Sequence, residues 1–530
     1  MRHLRTDGIL VAGFSAGGHL AASLATRYKQ KIYPAIDALD DTDARPAVVG
    51  AIYPVISLSP DIGHHDSTSN LVGPNPDAEA IARHSPALQV STETPPMFLA
   101  HAVDDAAVNP ANTLAMMQAL MTAKRPVEAH FLRKADTPSA RGVPASPIGR
   151  GRTCFTLGRR PTLPDKPRDG INSMTMEISR RSLAKWAAAL GSAQFLPRLA
   201  SAATISSETQ ADVMAFVNPA LRPSAAVVAR MTAEHGTPSD ATLATLRRPH
   251  PEVMPKRLPD VPVDEHLVPV PGGPAVKVYV INARVGAKRP AVVHMHGGGY
   301  IAGTADFEIG KHQALAQQLD CVIATVNYRL APETRFTGSI EDNYAALKWV
   351  HDHAAELGVD IARIAVMGES AGGGHAARLA ITARDRGEVP VCFQTLIYPM
   401  LDDRTGSTIM PPFPVGAIGW NAASNRYGWA SFLGMEPGSS SVPASAVPAR
   451  VTDLSGLPPA FIAVGGIDLF VTEDLNYAQR LLNAKVPCEV LVVPGAYHGF
   501  DIIAADTPPA RQFTTAKLNA LRRAFGNMDV

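Results

Sequence analysis

The stretch that most constrains the fold of this chain is Gly368-Glu369-Ser370-Ala371-Gly372, which follows the apolar run Ile364 to Met367 and leads into an alanine-rich stretch. A strand that turns this sharply into a helix accommodates only glycine on either side of the serine, and the turn leaves the hydroxyl exposed above the sheet. Gly368, Ser370 and Gly372 therefore predict a nucleophile elbow. Its chemistry requires a loop of hydrogen-bond donors upstream, and an acid and then a histidine downstream.

A glycine loop suited to bind an oxyanion lies upstream. The predicted strand Ala291 to Met295 ends in His296-Gly297-Gly298-Gly299. Backbone amides of such a loop can approach a tetrahedral intermediate closely, since no side chains intervene. We predict that Gly298 and Gly299 donate to the oxyanion together with the amide of Ala371, and that His296 and Gly297 complete the motif.

An acid and a base follow in the required order. Asp468 ends the apolar run Ala460 to Ile467, and His498 follows the predicted strand Glu489 to Val493. His498 is predicted as the general base, with Asp468 fixing its tautomer. Glu473 and Asp474, which lie close to Asp468, are interpreted as the acidic first turn of a helix, where negative charge suits the helix dipole.

Composition limits the other classes of function. The chain has 530 residues, of which 46% are hydrophobic and 18% charged, and its net charge of +1 gives no overall attraction to nucleic acid or to an anionic membrane. A length prior allows about two to four domains. Apolar runs are too short for a membrane span. Cys321, Cys392 and Cys488 are predicted to be core residues, and His64-His65-Asp66 is predicted to be a solvated loop rather than a metal site.

Four motifs together resemble the hormone-sensitive-lipase family of esterases: the glycine loop after Met295, Tyr328 to Glu333, the elbow around Ser370, and Tyr497-His498-Gly499-Phe500. Two positions depart from the family pattern, Glu369 and Thr337, and neither was assigned chemistry. The resemblance implies an α/β-hydrolase fold, with a mostly parallel central sheet flanked by helices and covered by a helical cap. It also implies hydrolysis of short- to medium-chain carboxylic esters without cofactor or metal.

The resemblance places this complete hydrolase domain at residues 204–530, with cap segments at about 204–248 and 401–450. Aromatic residues in the second cap segment either line an acyl pocket or serve cap packing, and the sequence favours neither: Trp420, Tyr427, Trp429 and Phe432. A non-catalytic small-molecule binding protein and an amidase that uses the same triad are the alternatives to a serine carboxylesterase. The expected partner is a small ester, with no nucleic acid, and a homodimer is left open.

A second elbow, Gly13-Phe14-Ser15-Ala16-Gly17, occurs near the N-terminus. The alternation of strands and helices around it resembles the C-terminal half of an acetyl-xylan or feruloyl esterase, with Ser15 as nucleophile and Asp105 as acid. No glycine loop precedes Ser15, and no histidine loop follows the predicted strand that ends near Leu132. We therefore interpret residues 1–133 as a truncated hydrolase half-domain with a vestigial site and no independent catalysis, while a docking module is left open.

The intervening stretch carries two further patterns. Residues 134–173 are rich in arginine, proline and glycine; they are either an ordinary linker or a frameshifted segment, because an alternative frame near Lys134 permits a histidine loop. The basic residues between positions 150 and 168 lack the aromatic neighbours of a nucleic-acid surface: Arg150, Arg152, Arg159, Arg160, Lys166 and Arg168. Residues 174–203 resemble a twin-arginine export signal, with an amphipathic linker helix as the alternative. The chain as given would stay in the cytoplasm, whereas a start at Met174 or Met176 would direct export.

Overall fold

A computed structural model describes residues 9–31, 43–102, 105, 107–132, 213–248 and 255–526. The predicted linker and the export-like segment, residues 134–203, lie outside these ranges, as do Met174 and Met176. Within the described part, twelve strands form one sheet in the order β1-β2-β3-β4-β12-β11-β10-β9-β7-β8-β6-β5. No helix among the described residues is both long and apolar enough to cross a bilayer.

The strands follow the apolar runs of the sequence. They are β1 (Leu10–Phe14), β2 (Val48–Ile52), β3 (Met97–Ala102), β4 (Val127–Leu132), β5 (Val263–Val268), β6 (Val276–Ile281), β7 (Arg289–Met295), β8 (Val322–Asn327), β9 (Val359–Glu369), β10 (Phe393–Ile397), β11 (Ala460–Gly465) and β12 (Cys488–Val493).

Helices cover both faces of the sheet. They are α1 (Ala16–Arg27), α2 (His65–Val72), α3 (Ala78–His84), α4 (Ala111–Thr122), α5 (Arg222–His235), α6 (Asp240–Leu246), α7 (Ala305–Leu319), α8 (Phe336–Asp352), α9 (Ala354–Leu357), α10 (Ala371–Arg386), α11 (Ala422–Leu433), α12 (Val471–Asn483), α13 (Phe500–Ile503) and α14 (Pro508–Ala524). The α/β-hydrolase fold class predicted from the sequence is confirmed.

The direction of the strands positions the site. Strands β7 to β12 run parallel to one another, whereas β6 is antiparallel to β8 and β5 is antiparallel to β6. The carboxyl ends of parallel strands meet at one edge of the sheet. The loops after β7, β9, β11 and β12, which carry the predicted donors, nucleophile, acid and base, therefore converge on that edge.

The core is apolar on both sides of these strands. Every residue of β11 is buried, as is expected for a strand covered on both faces. The three described cysteines are free thiols; Cys321 and Cys488 are buried and Cys392 is half-buried. Their predicted role as small core residues is confirmed, and burial raises the pKa of Cys321 to about 12 and that of Cys392 to about 11.

The N-terminal strands extend the same sheet. Strands β1 to β4 are parallel to one another, and β4 pairs antiparallel with β12 through Leu491 opposite His130 and Val492 opposite Ala129. Beside this junction the Gln118 amide donates to Asn476 Oδ1 over 3.2 Å. Nothing in the sequence indicated that one edge of this half-sheet would be paired with the catalytic sheet.

Two local expectations differ from the structure. Strand β5 was not predicted, because its Val263–Val268 sequence has two consecutive exposed acidic residues, Asp264 and Glu265, and lacks an apolar run. The His64-His65-Asp66 segment, expected as a solvated loop, begins helix α2, since the His64 ring accepts from the amide of Ser67 and caps it. No group of three metal-ligating side chains occurs in the described ranges.

Candidate active site

The turn around Ser370 has the backbone that the motif predicts. Ser370 lies between β9 and α10 with φ 57° and ψ −122°, a conformation rare for a residue with a side chain. A Cβ at Gly368 would lie 2.1 Å from the Gly372 carbonyl oxygen, so a larger residue cannot fit. The Ser370 amide donates to the Ile397 carbonyl over 2.9 Å, which anchors the turn to β10.

Ser370, His498 and Asp468 form one hydrogen-bonded chain. His498 Nε2 lies 2.9 Å from Ser370 Oγ, and His498 Nδ1 lies 2.8 Å from Asp468 Oδ2. Asp468 is fully buried, and its other oxygen accepts from the Phe470 amide over 3.0 Å. A carboxylate opposite Nδ1 favours the proton on that nitrogen, which leaves Nε2 free to accept the serine proton.

The glycine loop lies directly beside the serine. A Cβ at Gly297 would lie 3.5 Å from Ser370 Cβ, and Gly298 has φ 125°, which only glycine adopts readily. The Gly298 carbonyl accepts from the amides of Ile301 and Ala302, which closes the loop into a turn. Ala371, the first residue of α10, follows the serine with its amide at a helix N-terminus. The structure therefore places the glycine loop and Ala371 beside Ser370, and their role as oxyanion donors stays a prediction.

Two regions of the chain are similar to known proteins. A family model described as alpha/beta hydrolase fold matches residues 292–502, and one described as BD-FAE matches residues 3–120. Esterase LipI of Mycobacterium tuberculosis is 38% identical over 242 residues, which span 44% of this chain and 73% of that protein. Carboxylesterase NlhH of the same species is 36% identical over 281 residues, 51% of this chain and 85% of that protein.

The chain belongs to the α/β-hydrolase family. A solved bacterial heroin esterase aligns with 34% identity and a TM-score of 0.50 over 59% of this chain and 99% of its own length. The resemblance to hormone-sensitive-lipase-like esterases is confirmed, and the BD-FAE match fits a second, feruloyl-esterase-like segment at the N-terminus.

Buried aromatic and histidine rings support the glycine loop of this hydrolase. His296 is stacked on Tyr328 with ring centroids 4.2 Å apart, and the Tyr328 hydroxyl donates to the His296 carbonyl over 2.7 Å. His375 on α10 meets Tyr328 and Tyr300 edge-on. Burial lowers the pKa of His296 to about 4 and that of His375 to about 3, so both rings are neutral near pH 7. The motif around Gly298 includes His296, whereas no sequence pattern singles out His375.

A buried layer of charge lies beneath Ser370. Glu369 Oε2 lies 2.8 Å from His294 Nε2, and its Oε1 lies 3.2 Å from Lys311 Nζ and 4.0 Å from Lys517 Nζ. The Glu369 side chain is 6% exposed. Burial alone would raise the pKa of Glu369, but Lys311 and His294 lower it well below its usual range. Sequence reasoning noted Glu369 only as a departure and missed its partners, because they lie on β7, α7 and α14.

Glu473 and Asp474 lie in the first turn of α12, as predicted, but not in contact with solvent. Both are buried, and Glu473 Oε1 accepts from the Leu401 amide over 2.6 Å. Neither Asp474 oxygen has a hydrogen-bond partner among the described residues. Burial, followed by the neighbouring carboxylates, raises the pKa of both groups well above the usual range. The prediction that they interact as negative charges with the helix dipole is therefore wrong, because burial favours their neutral forms.

The four aromatic residues of the second cap segment differ in their burial and contacts. Trp429 and Phe432 are buried against Tyr300, and the Tyr427 hydroxyl donates to Asp240 Oδ1 over 2.7 Å. Trp420, in contrast, is half-buried and packs on the glycine loop.

The N-terminal elbow has the same backbone conformation as the elbow at Ser370. Ser15 has φ 52° and ψ −120°, and its amide donates to Ile52 over 3.0 Å. Asp105 accepts from the amides of Ala107 and Val108. Burial would raise the pKa of Asp105, but hydrogen bonds from His101 and from those amides lower it to about 2. No hydrogen bond joins Ser15 to Asp105 or to a histidine within the described ranges, so these two predicted residues are not brought into one chain.

A cavity of about 660 Å³ lies between the two halves of the sheet, away from Ser370. One wall comes from the N-terminal half and includes Asp105; the other comes from the end of α12 and the start of β12, at Leu482 to Pro487. Its mixed charges, Asp66 and Asp105 facing Lys485, do not indicate one class of ligand.

Proposed function

We propose that this chain hydrolyses short- to medium-chain carboxylic esters through an acyl-enzyme on Ser370. The chain is a carboxylic ester hydrolase of the family whose curated members include an esterase and a carboxylesterase. We propose in addition that the reaction passes through an acyl-enzyme, that the site residues have the roles given below, and that the acyl chains of the substrates are short to medium in length. The observation that carries them is the unbroken contact from Ser370 through His498 to Asp468.

In the proposed first half-reaction, Ser370 Oγ attacks the ester carbonyl while His498 Nε2 takes the serine proton. Negative charge develops on the carbonyl oxygen and is stabilised by the amides of Gly298, Gly299 and Ala371. Collapse of the tetrahedral intermediate breaks the bond to the alkoxy oxygen, which leaves as the alcohol with the proton that His498 returns. The acyl group stays on Ser370.

In the second half-reaction, water replaces the alcohol. His498 takes a proton from that water, and the resulting attack on the acyl-enzyme forms a second oxyanion in the same loop. Collapse returns the proton to Ser370 and releases the carboxylic acid. Asp468 stays ionised throughout and stabilises the imidazolium of His498 that forms in each half.

We also propose the domain organisation that the sequence predicts. Residues 204–530 form the hydrolase domain, with its cap at about 204–248 and 401–450, and residues 1–133 form a half-domain without catalysis of its own. A homodimer is left open, and light scattering of the purified full chain measures the oligomeric state.

The test is hydrolysis of p-nitrophenyl acetate and p-nitrophenyl butyrate by the full chain and by Ser370→Ala. We expect kcat to fall by a factor on the order of 10⁵ in Ser370→Ala, since the nucleophile cannot be replaced. Ser15→Ala is the matched control and should keep the activity of the unmodified chain. Full activity in Ser370→Ala would refute the assignment of Ser370 as nucleophile. Binding of esters without turnover by the unmodified chain would favour a non-catalytic binding protein. Faster cleavage of a matched anilide than of the ester would favour an amidase.

A further inference from the structure

Trp420 lies directly on the proposed oxyanion loop. It stands in the cap segment before α11, and a Cβ at Gly299 would lie only 2.3 Å from Trp420 Cη2. The six-membered ring of the indole is therefore in contact with the glycine loop, at the position where a side chain would otherwise be. The residue is half-buried, so part of the indole is left accessible.

Three contacts hold the indole in this orientation. Trp420 Nε1 donates to Asn425 Oδ1 over 3.1 Å, and the buried Asn425 amide donates in turn to the Thr405 carbonyl over 2.8 Å. Gly428 of α11 lies beside the ring, where a Cβ would be 3.4 Å from Trp420 Cζ2. A ring fixed by a hydrogen bond and by contacts with two glycines has few alternative rotamers and forms a rigid wall.

The neighbouring residue shows which part of a substrate this wall faces. A Cβ at Gly419 would lie 3.8 Å from His498 Cβ, so Gly419 lies beside the histidine while Trp420 lies beside Gly299. In the tetrahedral intermediate the alkoxy oxygen must face His498 to receive its proton, and the oxyanion must face the glycine loop. The remaining substituent is the acyl group, and a path for it away from His498 runs along the loop on which Trp420 is packed.

We propose that Trp420 is a specificity-determining residue that narrows the acyl side of the site, so that kcat/KM falls as the acyl chain lengthens from acetyl through butyryl to octanoyl. This inference rests on the proposed function. A rigid wall that excludes a methylene discriminates by a factor of about 10 to 200. The same wall leaves the alcohol side, next to Gly419 and His498, without this restriction.

The experiment compares two substrate series on the full chain and on Trp420→Ala. One series varies the acyl chain of p-nitrophenyl esters from acetate to octanoate, and the other varies the alcohol of alkyl butyrates from methyl to octyl. We expect Trp420→Ala to raise kcat/KM for the octanoate relative to the acetate by about tenfold or more. The profile across the alcohols should stay unchanged.

Two further variants keep the result interpretable. Trp420→Leu retains more of the cap packing and should show a smaller shift in the same direction. Trp349→Ala is the matched control, because Trp349 is another half-buried tryptophan, packed on His353 and His266 at α8, away from the site. Its acyl-chain profile should equal that of the unmodified chain. Fluorophosphonate labelling of each variant reports whether Ser370 is still reactive.

An unchanged acyl profile in both labelled Trp420 variants would overturn this inference, and so would a shift confined to the alcohol series. Either result would leave ester hydrolysis through Ser370 standing. Failure of the unmodified chain to hydrolyse any ester of the two series would instead overturn the proposed function.

Discussion

Replacing Glu369 by glutamine tests how far the buried charge layer stabilises the hydrolase. The substitution keeps the size of the side chain but removes the only negative charge within 4.0 Å of Lys517 and one of the two near Lys311 in the described part of the chain. Breaking a buried pair by removing one partner typically costs about 3–5 kcal/mol, because the other charge is left uncompensated. Glutamine can still hydrogen-bond to His294 and Lys311, so we expect about 3 kcal/mol.

The cost of Glu369→Gln should depend on pH in a definite direction. Since the pKa of Glu369 is lowered in the folded chain, its contribution is present above its ordinary pKa of 4.5 and is lost as the pH falls through the folded value. The difference in free energy of unfolding between the unmodified chain and Glu369→Gln should therefore be largest near pH 7. It should narrow below pH 4.5.

Urea unfolding, followed by far-UV circular dichroism at several pH values, measures both quantities. Glu341→Gln is the matched control, because Glu341 pairs with Arg386 at the surface and its side chain is 38% exposed. Exposed pairs contribute about 1 kcal/mol or less. The reasoning fails if Glu369→Gln and Glu341→Gln destabilise the chain equally, or if the cost of Glu369→Gln does not change with pH.

Three further predictions follow from the site. Asp468→Asn should lower kcat for p-nitrophenyl butyrate by roughly 10³ to 10⁴, because an amide no longer selects the reactive tautomer of His498; a change below tenfold would contradict its role. A fluorophosphonate probe should label Ser370 and not Ser15, and mass spectrometry of the modified peptides distinguishes the two; equal labelling rates would refute a vestigial second site. His375 has its pKa lowered from 6.5 to about 3, so the neutral form is favoured and stability should fall as the pH drops from 6.5 towards 3. His375→Phe should lose less stability between pH 7 and pH 4.5 in urea unfolding, and an unchanged slope would refute the reasoning.

The fold and the positions of the candidate site could be predicted because they depend on short stretches of sequence. Each predicted group follows an apolar strand directly, and parallel strands bring their carboxyl ends together whatever the length of the connections. The sequence segments around Gly298, Ser370, Asp468 and His498 are therefore sufficient to place these four residues at one edge of the sheet. The roles of these residues stay predictions until the variants are measured.

Features that depend on contacts distant in sequence could not be predicted in this way. Glu369 meets Lys311 and Lys517 from two separate helices, and neither lysine carries a local pattern that distinguishes it from a surface residue. Glu473 in a first helical turn is typical of an exposed cap, and only the packing of that turn against the segment at Leu401 shows that it is buried. Tertiary contacts override the local preference at both places.

The antiparallel junction between β4 and β12 has a consequence for the two elbows. Strands β1 to β4 point one way and strands β7 to β12 the other, so the carboxyl ends of the two sets emerge on opposite sides of the continuous sheet. Ser15 opens on one side of the molecule and Ser370 on the other. His498 therefore cannot serve both serines, and a proton acceptor for Ser15 would have to approach from the edge of the sheet opposite to the one where Ser370 lies.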